Sequence, residues 1–281
     1  MRANANYFRM KKKLFFFILS VFTAGFLNAQ VIDSANVIAD TTTANIPTAG
    51  KTSSTEAVGN KWANYDLSHR GGDHFIFQFG FLGWGGATGD YKLHGFSRQF
   101  NAAFMLDHVF KSNPHFSLGY GLGYASDNFF LNGKYADIVG KSSSSSTFEI
   151  TENGGGGTSF KKFKIVNTYL EIPLELRFSK NVVNPAHGFR VAVGLKGGWM
   201  VNAHSKGKNE INSAGTSMYG TGYIEKEYSK RYFNTTRLDG TLRIGLGMFN
   251  IYGTYQLTSL LKSGAGPTLH PYSIGFGLSI M

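Results

Sequence analysis

The sequence predicts an all-β chain that closes as an eight-stranded antiparallel transmembrane β-barrel of the outer membrane, with short periplasmic turns and long external loops. Three observations predict it. Eight segments alternate apolar residues with polar or small ones at a period of two, the side-chain repeat of a strand. The links between them alternate short and long, as turns and loops do in outer-membrane barrels. Aromatic residues collect at both ends of the oily faces, where a lipid-facing wall meets its interfaces.

Composition agrees with this class. The chain of 281 residues holds 36 Gly, 25 Phe and 14 Tyr with modest charge, a balance that favours strands. It has no Cys, which excludes disulfides, thiolate zinc sites and a lipidated cysteine. The net charge of +11 looks like a nucleic-acid footprint until it is located. Arg2, Arg9, Lys11, Lys12 and Lys13 supply five of those charges, and the remaining +6 is scattered, so no nucleic-acid partner is expected.

Residues 1–29 read as a signal peptide. Lys11–Lys13 form its basic region, Leu14–Leu27 its apolar run, and Leu27-Asn28-Ala29 its cleavage site before Gln30. Met10 is a candidate start, because MKKKLFFFILS is the more usual opening of such a peptide. No later segment is a helix-type span, so the only integral form open to the chain is a barrel. Residues 30–72, rich in Thr, Ala, Ser and Asn, read as a flexible periplasmic tether. Within it, Asp33-Ser34-Ala35 and Asp40-Thr41-Thr42 resemble the acceptor tripeptides of Bacteroidota protein O-glycosylation.

The barrel is expected over residues 73–281. Its first strand, His74–Gly83, sets Phe75, Phe77, Phe79 and Phe81 on one parity; its second, Arg98–Phe110, sets Phe100, Phe104, Leu106 and Phe110. A short Lys111–Pro114 turn leads to the third, where Phe116, Leu118, Tyr120, Leu122 and Tyr124 oppose Ser117, Gly119, Gly121, Gly123 and Ala125. A long connection, about Ser126–Lys162, holds the serine run Ser142–Ser146 and the glycine run Gly154–Gly157. The fourth strand, Phe163–Phe178, has an oily parity from Val166 to Phe178 and a polar one carrying Glu171, Glu175 and Arg177. The fifth sets Phe189, Val191, Val193, Leu195 and Trp199 against Arg190, Ala192, Gly194 and Lys196. After a second long connection, about Asn202–Tyr232, the sixth sets Leu238, Leu242 and Ile244 against Arg237, Asp239 and Arg243. The seventh, Phe249–Leu257, and the last, Tyr272–Ile280, complete the set.

A soluble barrel would show the same alternation with its faces exchanged. The polar parity argues against that, because strands three and eight offer only Ser, Gly and Ala there, a poor solvent surface but a good lining for a narrow lumen. The charges Glu171, Glu175, Arg177, Arg190, Lys196, Arg237, Asp239 and Arg243, with Asp107, are therefore expected to form a lumenal charge network. An Arg or Lys on the lipid face would cost roughly 2–4 kcal/mol at mid-bilayer. Phe110, Phe116, Phe178, Phe189 and Phe249 are expected in a periplasmic aromatic girdle, with Tyr124, Trp199 and Tyr272 in an external one.

The segment Tyr169-Leu170-Glu171-Ile172-Pro173-Leu174-Glu175-Leu176-Arg177-Phe178 resembles the Tyr-Leu-Glu-Ile-Pro-Leu-x-Leu-Lys/Arg-aromatic strand of the Bacteroidota outer-membrane β-barrel family, which includes PorT-like proteins. The resemblance extends to the late strand with Tyr255 and to Tyr272–Ile280, and covers roughly Asp73 to Met281. It implies a barrel; PorT-like members serve the type IX secretion system, and most members have no assigned role.

No catalytic motif, cofactor site or metal site emerges. Gly140-Lys141-Ser142 echoes the end of a P-loop, but the earlier glycine falls at Tyr135. The eight His show no HExxH spacing. The expectation is a non-enzymatic structural or interaction barrel, monomeric, contacting outer-membrane lipid and an envelope or secretion protein. A lipid-modifying enzyme would need a Ser/His pair on the outer rim, for which His204 with Ser205, and His270, are the candidates. A narrow channel is disfavoured by a filled lumen.

Overall fold

The computed structural model describes residues 75–87, 91, 93, 96–131, 134–141, 147–151 and 159–280. The signal peptide, the Met10 start, the tether with its two glycosylation tripeptides, the serine run and the glycine run lie outside the described residues.

Among the described residues eleven strands follow in chain order: β1 (Phe75–Gly85), β2 (Arg98–Val109), β3 (Phe116–Phe130), β4 (Tyr135–Ala136), β5 (Ile150–Thr151), β6 (Ser159–Ser179), β7 (Phe189–Ile211), β8 (Ile224–Tyr228), β9 (Thr236–Leu246), β10 (Phe249–Gln256) and β11 (His270–Ile280). Eight of them close a ring in the order β1-β2-β3-β6-β7-β9-β10-β11, with β11 returning to β1 and every neighbour antiparallel. Closure leaves these strands no free edge in the bilayer, where an unpaired backbone group would cost several kcal/mol.

The two parities part cleanly. Along β1 the exposed residues are Phe75, Phe77, Phe79 and Phe81, and along β11 Tyr272, Ile274, Phe276, Leu278 and Ile280. The opposite parity is buried and polar: Gln78, Gln99, Asn101, Ser117, Glu171, Glu175, Arg177, Ser273 and Ser279. An exterior this apolar on one contiguous wall is a surface for lipid rather than water. From Phe189 to Trp199 on β7, ten steps at roughly 3.3 Å and a tilt of about 40° give a band about 25 Å tall.

β6 and β7, at 21 and 23 residues, are longer than any bilayer requires. With β3 they continue outward past Tyr124, Leu170 and Trp199, which lie side by side in the register. β8 adds itself to the far end of β7. The expected long connections are thus partly strand: β3 runs on to Phe130 rather than stopping at Ala125, and β6 begins at Ser159. The alternation fades there because both parities lose contrast. The inward residues turn apolar (Phe129, Phe163, Ile165) and the outward ones turn basic or polar.

A β-bulge marks the crossing from membrane to exterior. Thr168 pairs with Asn202 but Tyr169 pairs with Met200, so Val201 is the extra residue. Below it the even-numbered residues of β7 face inward (Lys196, Met200); above it the odd-numbered ones do (Ala203, Ser205).

The hydrophobic core is not in the barrel but above it. All four external connections contribute: Tyr91 and Leu93 after β1, Ile138 and Phe148 after β3, Tyr232 and Phe233 after β7, Leu260, Leu261 and Leu269 after β10. They pack with Trp84, Phe129, Phe163, Ile165 and Met200 from the strand ends. Together they form a folded external cap.

Candidate functional site

Below the cap, the lumen is filled by two tiers of ion pairs. The inward parity puts one long side chain every two residues, and the ring brings those of non-neighbouring strands face to face. In the external tier Arg237 of β9 is the hub. Its guanidinium donates to Asp127 of β3 at 2.5 Å and Glu171 of β6 at 2.5 Å, and lies 3.2 Å from Asp239. It also stacks 3.7 Å from the Tyr169 ring centre. Lys196 of β7 donates to Glu171 at 3.3 Å, and Gln99 donates to Asp127 at 2.8 Å. In the periplasmic tier Glu175 accepts from Arg177 at 3.1 Å and from Arg243 at 2.8 Å. Arg177 reaches on to Asp107 at 3.3 Å, and Arg243 to the Ser279 hydroxyl at 3.0 Å.

Glycine makes room for this. A Cβ on Gly119 would sit 2.4 Å from the Arg177 Nε, so only a bare backbone lets that side chain lie along the wall. Arg190 stands apart from both tiers and donates to the Gly247 carbonyl at the β9–β10 turn. Among the described residues the lumenal face carries five cations (Arg177, Arg190, Lys196, Arg237, Arg243) and five carboxylates (Asp107, Asp127, Glu171, Glu175, Asp239). Such neutrality is what a low-dielectric interior demands, since an unpaired buried charge is strongly destabilising. Space is correspondingly scarce. A cavity of about 10 Å³ remains beside Gln99, Asp127, Arg237 and Gln256, room for about one water.

All nine charged residues named from the sequence lie on the inward parity, and eight of them, all but Arg190, meet in the two tiers. Asp127 was missed, as were its partner Gln99 and the stacking Tyr169. The signal was present, because Ser117, Gly119, Gly121, Gly123, Ala125 and Asp127 share one unbroken parity; Asp127-Asn128 looks instead like the start of a turn. Of the aromatic positions, Phe116 and Phe178 pack at 5.4 Å beside the periplasmic turns, with Phe189 and Phe249 exposed at the same end and Phe110 half-buried. Tyr124, Trp199 and Tyr272 are exposed at the other end.

The rim candidates His204, Ser205 and His270 do not assemble a nucleophile with its base. Ser205 and His204 are successive strand residues and face opposite sides. Ser205 is buried beneath the cap, whereas His204 packs on Tyr228 at 5.3 Å. His270 stacks on Tyr255 and its Nδ1 lies 3.0 Å from the Gln256 carbonyl.

The cap has polar ties of its own. Lys141 pairs with Glu227 at 2.6 Å and Glu225 at 3.2 Å, pinning the β3–β6 connection to β8. The Glu227 hydrogen bond raises the Lys141 pKa above the ordinary lysine value, and burial raises that of Tyr135 beside it. Asp137 caps its own turn, accepting from the backbone N–H of Val139, Gly140 and Lys141 at 2.6–2.9 Å.

Residues 66–262 match the family described as outer membrane protein beta-barrel domain. Two solved structures of Ail, the attachment invasion locus protein of Yersinia pestis, align with the chain at 12% identity, covering 73% of this chain and 96% of theirs. The TM-score is 0.33 for Ail alone and 0.32 for its complex with the heparin analogue sucrose octasulfate. No curated protein matches.

Proposed function

This chain belongs to the outer membrane protein beta-barrel domain family and resides in the outer membrane, and from that premise we propose that it is a non-enzymatic structural or interaction barrel. Its working surface is the external cap. The observation that carries this reading is the double closure of the barrel, by ion pairs across the lumen and by an apolar core above them. A lumen crossed by these ion pairs supports neither transit nor a substrate. What the fold offers a partner is a rigid external platform, held by four connections that share one core.

The Tyr169–Phe178 strand supports the narrower placement among PorT-like barrels of the Bacteroidota, as an accessory of secretion or envelope assembly. In this reading residues 1–29 are removed on export, residues 30–72 tether the barrel on the periplasmic side, and the barrel is monomeric. A deletion strain examined together for protein secretion, lipid A composition and envelope integrity tests it, alongside crosslinking of the tagged protein in intact cells. One recurring envelope partner with unchanged lipid A is the expected result. Altered lipid A with no recurring partner would point instead to a lipid-modifying barrel.

A further inference from the structure

The outward wall above the external girdle carries an unusual ladder. Lys164 of β6 lies directly opposite Lys206 of β7, which lies directly opposite Lys226 of β8. One pair further out, Lys162 faces Lys208. Residues paired in this way share a face with Cβ atoms about 5 Å apart, and like charges so placed repel. Arg98 of β2 joins them: its guanidinium and the Lys164 ammonium lie 5.4 and 5.5 Å from the Phe130 ring centre.

Glu210, one pair beyond Lys208, shares their parity on β7; between the girdle and Lys208 no acid answers them on this face among the described residues. The outward positions between the girdle and Lys162 are Ser126, Asn128 and Phe130 on β3, Thr168 and Val166 on β6, Asn202 and His204 on β7, and Tyr228 on β8. Glu225 and Glu227 alternate to the other side of β8, where Lys141 holds them. Burial, then Lys164, Lys226 and Lys206, holds the pKa of His204 in this external wall below the ordinary histidine value. The bulge at Val201 creates the arrangement. Were the strand to run through Val201 without the bulge, Ala203, Ser205 and Gly207 would face outward and the lysines of β7 would enter the apolar cap.

Height identifies the occupant. Lys164 stands six residues beyond Leu170, which is level with Tyr124 and Trp199. At roughly 3.3 Å per residue and a tilt of about 40°, that is about 15 Å above the acyl boundary. A phospholipid headgroup layer is only about 5–8 Å thick, so its phosphates lie too low. The phosphorylated saccharide of an outer-leaflet glycolipid occupies that height. We infer that the Lys164–Lys206–Lys226 ladder, with Lys162, Lys208 and Arg98, binds the phosphate groups of lipopolysaccharide packed against the wall of the barrel.

The test uses the full mature protein in phosphatidylcholine nanodiscs doped with lipopolysaccharide, with chemically dephosphorylated lipopolysaccharide, or with phosphatidylglycerol. Wild type should retain phosphorylated lipopolysaccharide at least tenfold more strongly than either of the other lipids. The preference should fade at about 0.5 M salt. The triple variant Lys164→Gln, Lys206→Gln, Lys226→Gln should lose about a hundred-fold in retention, at about fivefold per lysine beside an anionic surface. Relieved of repulsion, it should keep the heat-modifiable gel shift of a folded barrel. Equal retention of dephosphorylated lipopolysaccharide or phosphatidylglycerol by wild type overturns the inference without recourse to any variant. So does capture of soluble dextran sulfate in place of the lipid. Failure here leaves the cap's role toward a protein partner untouched, because crosslinking reads that separately.

Discussion

Replacing Arg237 with Met removes one cation from among Asp127, Glu171 and Asp239, and leaves Lys196, 3.3 Å from Glu171, to serve the three carboxylates. Methionine fills most of the guanidinium's volume, so the loss is electrostatic rather than a cavity. Breaking a buried pair by deleting one partner costs about 3–5 kcal/mol. For a barrel of this size that is roughly 6–20 °C in Tm, at about 2–4 °C per kcal/mol. Guanidinium titration in phosphatidylcholine vesicles, followed by tryptophan fluorescence, would read it as a lower midpoint at an unchanged slope. Adding Asp127→Asn should recover part of the loss, giving a coupling of about 1–3 kcal/mol of opposite sign to the single effects. If Arg237→Met unfolded within about 1 kcal/mol of wild type, or if the two changes simply added, the hub would not exist as described.

Leu174→Arg places a charge on the exposed wall of β6 near mid-bilayer and should cost roughly 2–4 kcal/mol, seen as loss of the folded gel species during refolding into vesicles. Gly121→Leu should also fail to refold, for another reason: even a Cβ there would lie 2.0 Å from the Phe104 carbonyl oxygen of the adjacent strand. Phe148→Ala hollows the cap where that ring meets Tyr91, Tyr232 and Phe233 at 5.8–6.2 Å. It should cost the cap about 3–5 kcal/mol. Hydrogen exchange would show faster opening of the external connections while the barrel strands keep their protection.

The membrane-spanning part was largely legible because a bilayer imposes a strict period of two. Phe75 to Phe81, or Leu170 to Phe178, can face lipid in only one way, and the residues between them must then face the lumen. Charge placement followed from the same rule, which is why Glu171, Glu175, Arg237 and Arg243 were found while which of them pair across the lumen was not. Pairing across a lumen depends on shear and tilt, which no single strand encodes. Asp127 was lost where the strand left the bilayer and the contrast between its faces fell. The cap was illegible for a different reason. Its core draws single residues, such as Tyr91, Phe148, Phe233 and Leu261, from four connections, and no period links them. The basic ladder sits between these cases: Lys162-x-Lys164 and Lys206-x-Lys208 alternate visibly, but their alignment needs the bulge at Val201.

Because the chain has no native cysteine, a nitroxide can be placed at each position of Leu170–Phe178 in turn without background labelling. Oxygen accessibility measured by electron paramagnetic resonance in phosphatidylcholine vesicles should oscillate with a period of two. Its maxima should fall at Leu170, Ile172, Leu174 and Leu176, and its minima at Glu171, Glu175 and Arg177. Maxima at the charged positions, or a flat profile, would contradict both the lipid-facing wall and the filled lumen.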